Sequence, residues 1–152
     1  MINQEELKII ESSITEFFNK AGFSVEFEIK TEEDLLTVNI KTSEANNLIG
    51  KQGLVLADIQ LILRKVIKKK IKEDFYINID IDNYKKNKED YLKDLAWNIA
   101  DEVLKTGKEK EIPLVSSFDR RIIHIELEQR NDVFTESIGE GEERKIVVRP
   151  AK

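Results

Sequence analysis

The sequence predicts an α+β protein of two small units in tandem. Segments with apolar residues at every second position, which fit half-buried strands, alternate with segments of apolar spacing three and four, which fit helices. A Gly-x-x-Gly loop, Gly50-Lys51-Gln52-Gly53, lies inside the first half between a short apolar-ended helix and a long amphipathic one. After the strand that ends near Asp82, a second set of helices and strands begins, which divides the chain into residues 1–84 and 85–152.

The elements follow in order. Residues 3–20 read as a helix, with Leu7, Ile10, Ile14, Phe17 and Ala21 on one face and Gly22 at its end. Phe23, Val25, Phe27 and Ile29 alternate with Ser24, Glu26 and Glu28, as in a half-buried strand. Thr31-Glu32-Glu33-Asp34 is a polar turn, and Leu36, Val38 and Ile40 form the next strand. A short helix ends at Ile49, the glycine loop follows, and an amphipathic helix runs from Leu54 to about Ile71. Phe75, Ile77, Ile79 and Ile81 alternate with Tyr76, Asn78, Asp80 and Asp82 in a third strand, which puts the two aspartates on its solvent side.

In the second unit a helix spans about Asn87 to Lys105. Leu92, Leu95, Ile99 and Val103 are its stripe, and Trp97, Ala100 and Leu104 widen the apolar arc. That width fits either one broad buried face or a helix packed on both units. Gly107 stops it, and a charged connection leads to the apolar piece Ile112-Pro113-Leu114. Ser116 is an N-cap, with Asp119 three residues on, for a helix reaching Arg130 and burying Phe118, Ile122 and Ile125. Val133–Ile138 and Arg144–Arg149 form two strands around the turn Gly139–Glu143.

The net charge of −5 is unevenly spread. Residues 1–49 hold 10 acidic and 4 basic side chains, residues 50–72 hold 1 and 7, and residues 73–152 hold 19 and 14. The one basic block therefore starts at the glycine loop, and local field rather than total charge decides where a polyanion docks. Lys68-Lys69-Lys70 lies roughly 25 Å along the helix from the loop, where lysines complement the helix dipole in any protein. Lys51, within the loop, is the stronger candidate for a phosphate.

Glycines at both ends of such a loop let peptide N–H groups approach a nucleic-acid backbone, with the positive end of the following helix beside them. The order helix, strand, strand, helix, Gly-x-x-Gly, helix, strand over residues 3–82 resembles the KH module of the bacterial type, type II, which clamps about four nucleotides of a single strand. The resemblance makes Ile49, Gly50, Lys51, Gln52 and Gly53 the RNA-binding loop. Gln52 stands where a second basic residue is common, which weakens the electrostatic clamp and leaves a hydrogen-bonding group.

A second motif lies in Asp119-Arg120-Arg121-Ile122-Ile123-His124, followed by Ser137-x-Gly139-x-Gly141-x-x-Arg144-x-Ile146-x-Val148. Arg120 and His124, four apart, share a helical face. The pattern resembles the R-three-H domain, a small α/β fold that binds single-stranded nucleic acid. That implies contacts from Arg120, Arg121, His124, Arg144 and Lys145, with arginine forking onto phosphate and the histidine donating to phosphate or stacking on a base. A KH unit followed by this domain is the arrangement of the Jag family of bacterial RNA-binding proteins, and LIGKQG, YINIDIDNY, LAWNIADEVLKTGK and FDRRIIHIEL carry the resemblance. It implies a cytoplasmic binder of single-stranded RNA, a small stand-alone KH protein as partner, and an influence on cell elongation and division. Many members have a further N-terminal domain and a basic linker. This sequence starts at the KH helix, as either a short member or a fragment would.

Other functional classes fit less well. There are no cysteines, hence no disulfide, thiolate metal site or cysteine nucleophile, and a single histidine excludes a two-histidine metal site. No Walker loop or nucleophile elbow is present, so a non-enzyme without cofactor or metal is expected. A Mg²⁺-dependent nuclease built on Asp80 and Asp82 is one alternative. The other is a protein-interaction adaptor that uses Glu5, Glu6, Glu11, Glu16, Glu26 and Glu28 against a basic partner. No apolar run reaches the ~18 residues of a membrane span, and no secretion signal opens the chain.

Overall fold

The computed structural model describes residues 1–112 and 116–152, so Pro113 and Leu114 of the expected apolar piece lie outside the described residues. The chain separates into two units, Met1–Lys85 and Lys86–Lys152.

In the first unit, α1 (Gln4–Ala21) starts at a reciprocal cap: Asn3 Oδ1 accepts from the Glu6 amide at 2.9 Å, and Glu6 Oε2 accepts from the Asn3 amide at 3.0 Å. Its buried row is Ile10, Ile14 and Phe18, so Phe17 is only half-buried and Ala21 is exposed. Ser13 is buried with that row because its hydroxyl donates to the Ile9 carbonyl at 2.7 Å, which satisfies it without water.

Strand β1 (Glu26–Glu32) pairs antiparallel with β2 (Leu35–Lys41), and β3 (Tyr76–Ile81) runs parallel to β2, in sheet order β1-β2-β3. Phe23 and Val25 precede β1, while β1 continues through Glu32, so the polar turn shrinks to Glu33-Asp34 with Glu33 at φ 51°. The crossover from β2 to β3 holds α2 (Ala45–Ile49), a 3₁₀ turn (Lys51–Gly53) and α3 (Leu54–Lys68). Leu56, Ile59, Leu63 and Ile67 of α3 join Leu36, Val38 and Ile40 of β2 and the α1 row in one core. α3 stops at Lys68, short of Ile71. At and just past its end two lysines find partners: Lys68 Nζ lies 3.0 Å from Asp74, and Lys70 Nζ donates to Ser13 Oγ at 3.1 Å.

The expected solvent-facing aspartate pair on β3 does not form. Asp80 is 7% exposed, and its Oδ1 accepts from the amides of Ile81 at 2.8 Å and Lys85 at 2.9 Å. Asp82 lies past the strand at φ 48°. Nearby, Lys85 Nζ donates to Gln60 Oε1 and Asn78 Oδ1, both at 2.8 Å, and Gln60 Oε1 also accepts from the Ile79 amide at 2.9 Å. Burial pulls the Lys85 ammonium below the usual lysine range, against the opposing pull of Asp80. Gln60 and Asp80 thus satisfy amides of β3 that have no strand partner, which closes this edge of the sheet.

In the second unit, α4 (Tyr84–Thr106, its first two residues belonging to the first unit) leads to β4 (Lys110–Ile112), α5 (Ser117–Glu128), β5 (Val133–Ile138) and β6 (Lys145–Pro150). The sheet is antiparallel in order β4-β6-β5. Leu92, Ala96, Ile99, Ala100 and Val103 of α4 pack with Ile123, Leu127, Ile112, Val133, Ile146 and Val148. Trp97 and Leu104 do not extend this face; they are 40% and 39% exposed. Trp97 Nε1 donates to Glu126 at 2.8 Å, and the Arg130 guanidinium sits 4.7 Å from the ring centroid, tied to Asp101 at 2.7 Å and Asp132 at 2.8 Å.

The α5 face also differs from expectation. Phe118 is 64% and Ile125 51% exposed, Ile122 is half-buried, and the buried row is Asp119, Ile123 and Leu127. Apolar spacing alone favoured the other row because this one starts with a carboxylate. Asp119 tolerates burial because Lys88 Nζ lies 3.2 Å from its Oδ2.

Asp80→Ala removes the acceptor of two backbone amides while leaving the apolar core untouched. Urea unfolding should show a loss of about 1–3 kcal/mol, with Asp80→Asn retaining part of it.

Candidate nucleic-acid interface

The turn between α2 and α3 is shaped by three residues of positive φ. Gly50 closes α2, its amide donating to the Asn46 carbonyl at 3.0 Å, and has φ 70°, ψ −175°, a region open essentially to glycine alone. A Cβ there would lie 2.3 Å from Val55 Cγ2. Gln52 follows at φ 53° and Gly53 at φ 78°, where a Cβ would come within 2.9 Å of the Tyr84 ring. The absent Cβ atoms therefore serve the unit's own packing, a requirement separate from the ligand approach for which the sequence singled out these glycines.

The turn leaves Lys51 and Gln52 exposed, and Ile49 half-buried beside them. Lys51 has no side-chain partner among the described residues, unlike Lys68 and Lys70 farther along. Gly53 is the N-cap of α3, so no side chain caps that helix. The positive dipole end of α3 therefore lies next to Lys51 in the chain, although the Leu54 amide is already donated to the Lys51 carbonyl.

On α5, Ser116 Oγ accepts from the Asp119 amide at 3.1 Å and fixes the helix start. Arg120 and His124 lie one turn apart on the same flank, Arg120 half-buried, and Arg121 is exposed one step outward. The His124 ring is spanned between two hydroxyls of β5: Nδ1 meets Thr135 Oγ1, and Nε2 meets Ser137 Oγ at 3.0 Å. With both nitrogens engaged, what His124 can present to a ligand without rearrangement is its ring, not an N–H. Thr135 is not singled out by the sequence, and Ser137 stands there only as the first residue of the glycine-turn pattern, without a role. Their signal is the two-residue spacing, which puts both hydroxyls on the sheet face that meets the helix carrying the only histidine.

Arg144 and Lys145 part company. Arg144 is exposed just before β6, and its extended backbone continues the strand alternation, which assigns it to the face of Ile146 and Val148. These residues stand opposite Ser137 and Thr135 in the register. Lys145 falls on the other face, where its Nζ lies 2.7 Å from Glu111. Arg149 on that face is likewise paired, with Glu109 at 2.7 Å and with Glu136. The second face of the sheet is thus charge-matched internally, whereas Arg120, Arg121 and Arg144 belong to the α5 side.

Comparison with known proteins places this geometry. Residues 90–150 match the R-three-H domain family, making this a mixed α/β chain that carries an R-three-H domain. The chain is a relative of the KhpB, or Jag, family. It is 32% identical over 125 residues to the RNA-binding protein KhpB of Clostridium symbiosum, covering 82% of this chain and 55% of that one. To the RNA-binding protein KhpB of Bacillus subtilis (strain 168) it is 30% identical over 125 residues, covering 80% and 60%. To that of Lactiplantibacillus plantarum it is 29% identical over 127 residues, covering 84% and 39%. The chain therefore spans about half the length of these relatives.

Gly50→Ala should destabilise the first unit by more than about 2 kcal/mol in denaturant unfolding, from backbone strain plus the clash with Val55. Adding Val55→Ala should restore only a fraction of this, because the Val55 Cβ at 2.9 Å and the strained φ and ψ remain.

Proposed function

We propose that the chain binds single-stranded RNA through two surfaces: the Gly50–Gly53 turn of a type II KH domain over residues 1–84, and α5 with Arg144 in the R-three-H domain over residues 85–152. The observation that carries the reading is the turn itself, which holds Lys51 and Gln52 outward at the uncapped start of α3 within the only basic block of the chain. The element order of the first unit accords with a KH module, and the relatives bear the name RNA-binding protein. In the second unit Arg120, Arg121 and Arg144 supply cationic forks for phosphate, and His124 supplies a ring held in place by Thr135 and Ser137. Lys145 contributes less, because an exposed carboxylate already competes for it.

A nuclease reading loses its basis, since the Asp80 carboxylate is spent on backbone amides and Asp82 is not on the strand. Among the described residues no His, Asp and Glu group is suited to a metal ion, and no helix is long and apolar enough to cross a membrane. The adaptor reading keeps one observation in its favour: α3 exposes Leu54, Leu61 and Ile62. Such a face suits the small stand-alone KH protein that the Jag resemblance implies, so the proposal includes that partner alongside RNA. A cytoplasmic setting and a role in cell elongation and division belong to the same proposal.

Changing Lys51 and Gln52 both to Asp should lower affinity for a fluorescent single-stranded RNA by at least about tenfold with an unchanged melting curve. Unaltered anisotropy titrations would remove the turn from the mechanism. Contacts from Lys51, Arg120, Arg121 and Arg144 predict a log–log salt slope of about −3. A slope steeper than about −6 would mean that Lys65 and Lys69, farther along α3, also engage the strand.

A further inference from the structure

The exposed apolar residues of α5 have no role in the core and lie beside its arginines. Phe118 is 64% and Ile125 51% exposed, although both are large enough to contribute to a core if buried. Arg121 stands three residues from Phe118 and from His124 and four from Ile125, so all of them neighbour it on the helix surface. Around the helix the order runs from the flank of Arg120 and His124, through Arg121, to the outward ridge of Ile125 and Phe118. Arg121 is exposed and has no side-chain partner among the described residues.

We propose that Phe118, flanked by Ile125, is the base-stacking platform of the second RNA surface, with Arg121 holding the phosphate between it and His124. The inference rests on the RNA-binding reading and adds the residues that take the bases. Charge selects the occupant. The first half of α5 carries Arg120 and Arg121 at its positive dipole end, while Asp119, the one acid there, is buried against Lys88. The second half carries Glu126 and Glu128, of which Glu126 is bonded to Trp97. A polyanion is therefore drawn to the Phe118 end and repelled from the other. An aromatic ring beside an unpaired guanidinium offers a single strand both a stacking surface and a cation, and stacking on aromatic side chains is tolerant of base identity. An acidic protein segment would meet the same arginine but would gain nothing specific from the ring.

The test uses the full chain and two fluorescent probes: a twelve-nucleotide oligouridylate and an abasic ribose-phosphate oligomer of the same length. Phe118→Ala should lower affinity for the oligouridylate at least about fivefold and leave binding of the abasic oligomer and the salt slope unchanged, because no phosphate contact is removed. Phe118→Trp should restore affinity. Phe118 is exposed, so the melting curve of each variant should match the parent. If Phe118→Ala binds oligouridylate as the parent does, the platform is refuted and the ridge is left to a protein partner, while the RNA-binding reading stands. Equal weakening toward both probes also refutes it, since Phe118 would then act on the phosphate contacts through structure. If the parent protein itself binds neither probe, the RNA-binding reading falls, and the platform with it.

Discussion

Gly50 lies so close against Val55 that a methyl group would not fit between them, and the shape of the α2–α3 turn depends on that contact. It requires the backbone of Gly50 to take a conformation that other residues avoid, which turns the chain sharply at the end of α2. Gln52 and Gly53 then complete the reversal with positive φ, and Gly53 rests its bare Cα against Tyr84. Packing inside the unit thus sets the backbone of the loop and holds two polar side chains outward. A loop arranged in advance loses less conformational freedom on binding than one that must be ordered.

The same contrast between inward and outward commitments sorts the charges. Several cations of this acidic chain are already matched: Lys68 to Asp74, Lys70 to Ser13 and Glu16, Arg130 to Asp101 and Asp132, Lys145 to Glu111, Arg149 to Glu109 and Glu136. Exposed pairs of this kind add little stability, but they lower the pull of those cations on a polyanion. Lys51 at the turn, and Arg121 and Arg144 in the second unit, have no such carboxylate among the described residues. Pairing therefore takes some cations out of contention without singling out one site, since Lys65 and Lys69 along α3 have no such carboxylate among the described residues either.

Much of the fold could be read from the chain because the strands of its first unit alternate apolar and polar residues and two helix boundaries carry clear signals, Gly22 and the Ser116 cap. Reading failed where a polar residue took a buried place. Apolar spacing on α5 pointed to Phe118, Ile122 and Ile125, and nothing in the sequence pairs Asp119 with Lys88, thirty-one positions away, to permit the other row. Asp80 failed in the same way: strand alternation put it in solvent, whereas its role as acceptor for the start of α4 is a matter of three-dimensional placement. At the candidate site, the residue types were legible and their partners were not. Alternation could separate Arg144 from Lys145, but the hydroxyl pair bracketing His124 required the register of β5 against α5.

The proposed binding site for a single strand of RNA consists of the outward-held groups at the α2–α3 turn and on the first half of α5. Backbone amide NMR spectra of the full chain, titrated with oligouridylate, test it most directly. A strand bound at these two surfaces should shift the amides of Lys51, Gln52 and Leu54, together with those of Phe118, Arg121 and Arg144. Saturable binding that leaves these amides unmoved and shifts those of Arg64 to Lys72 instead would contradict it.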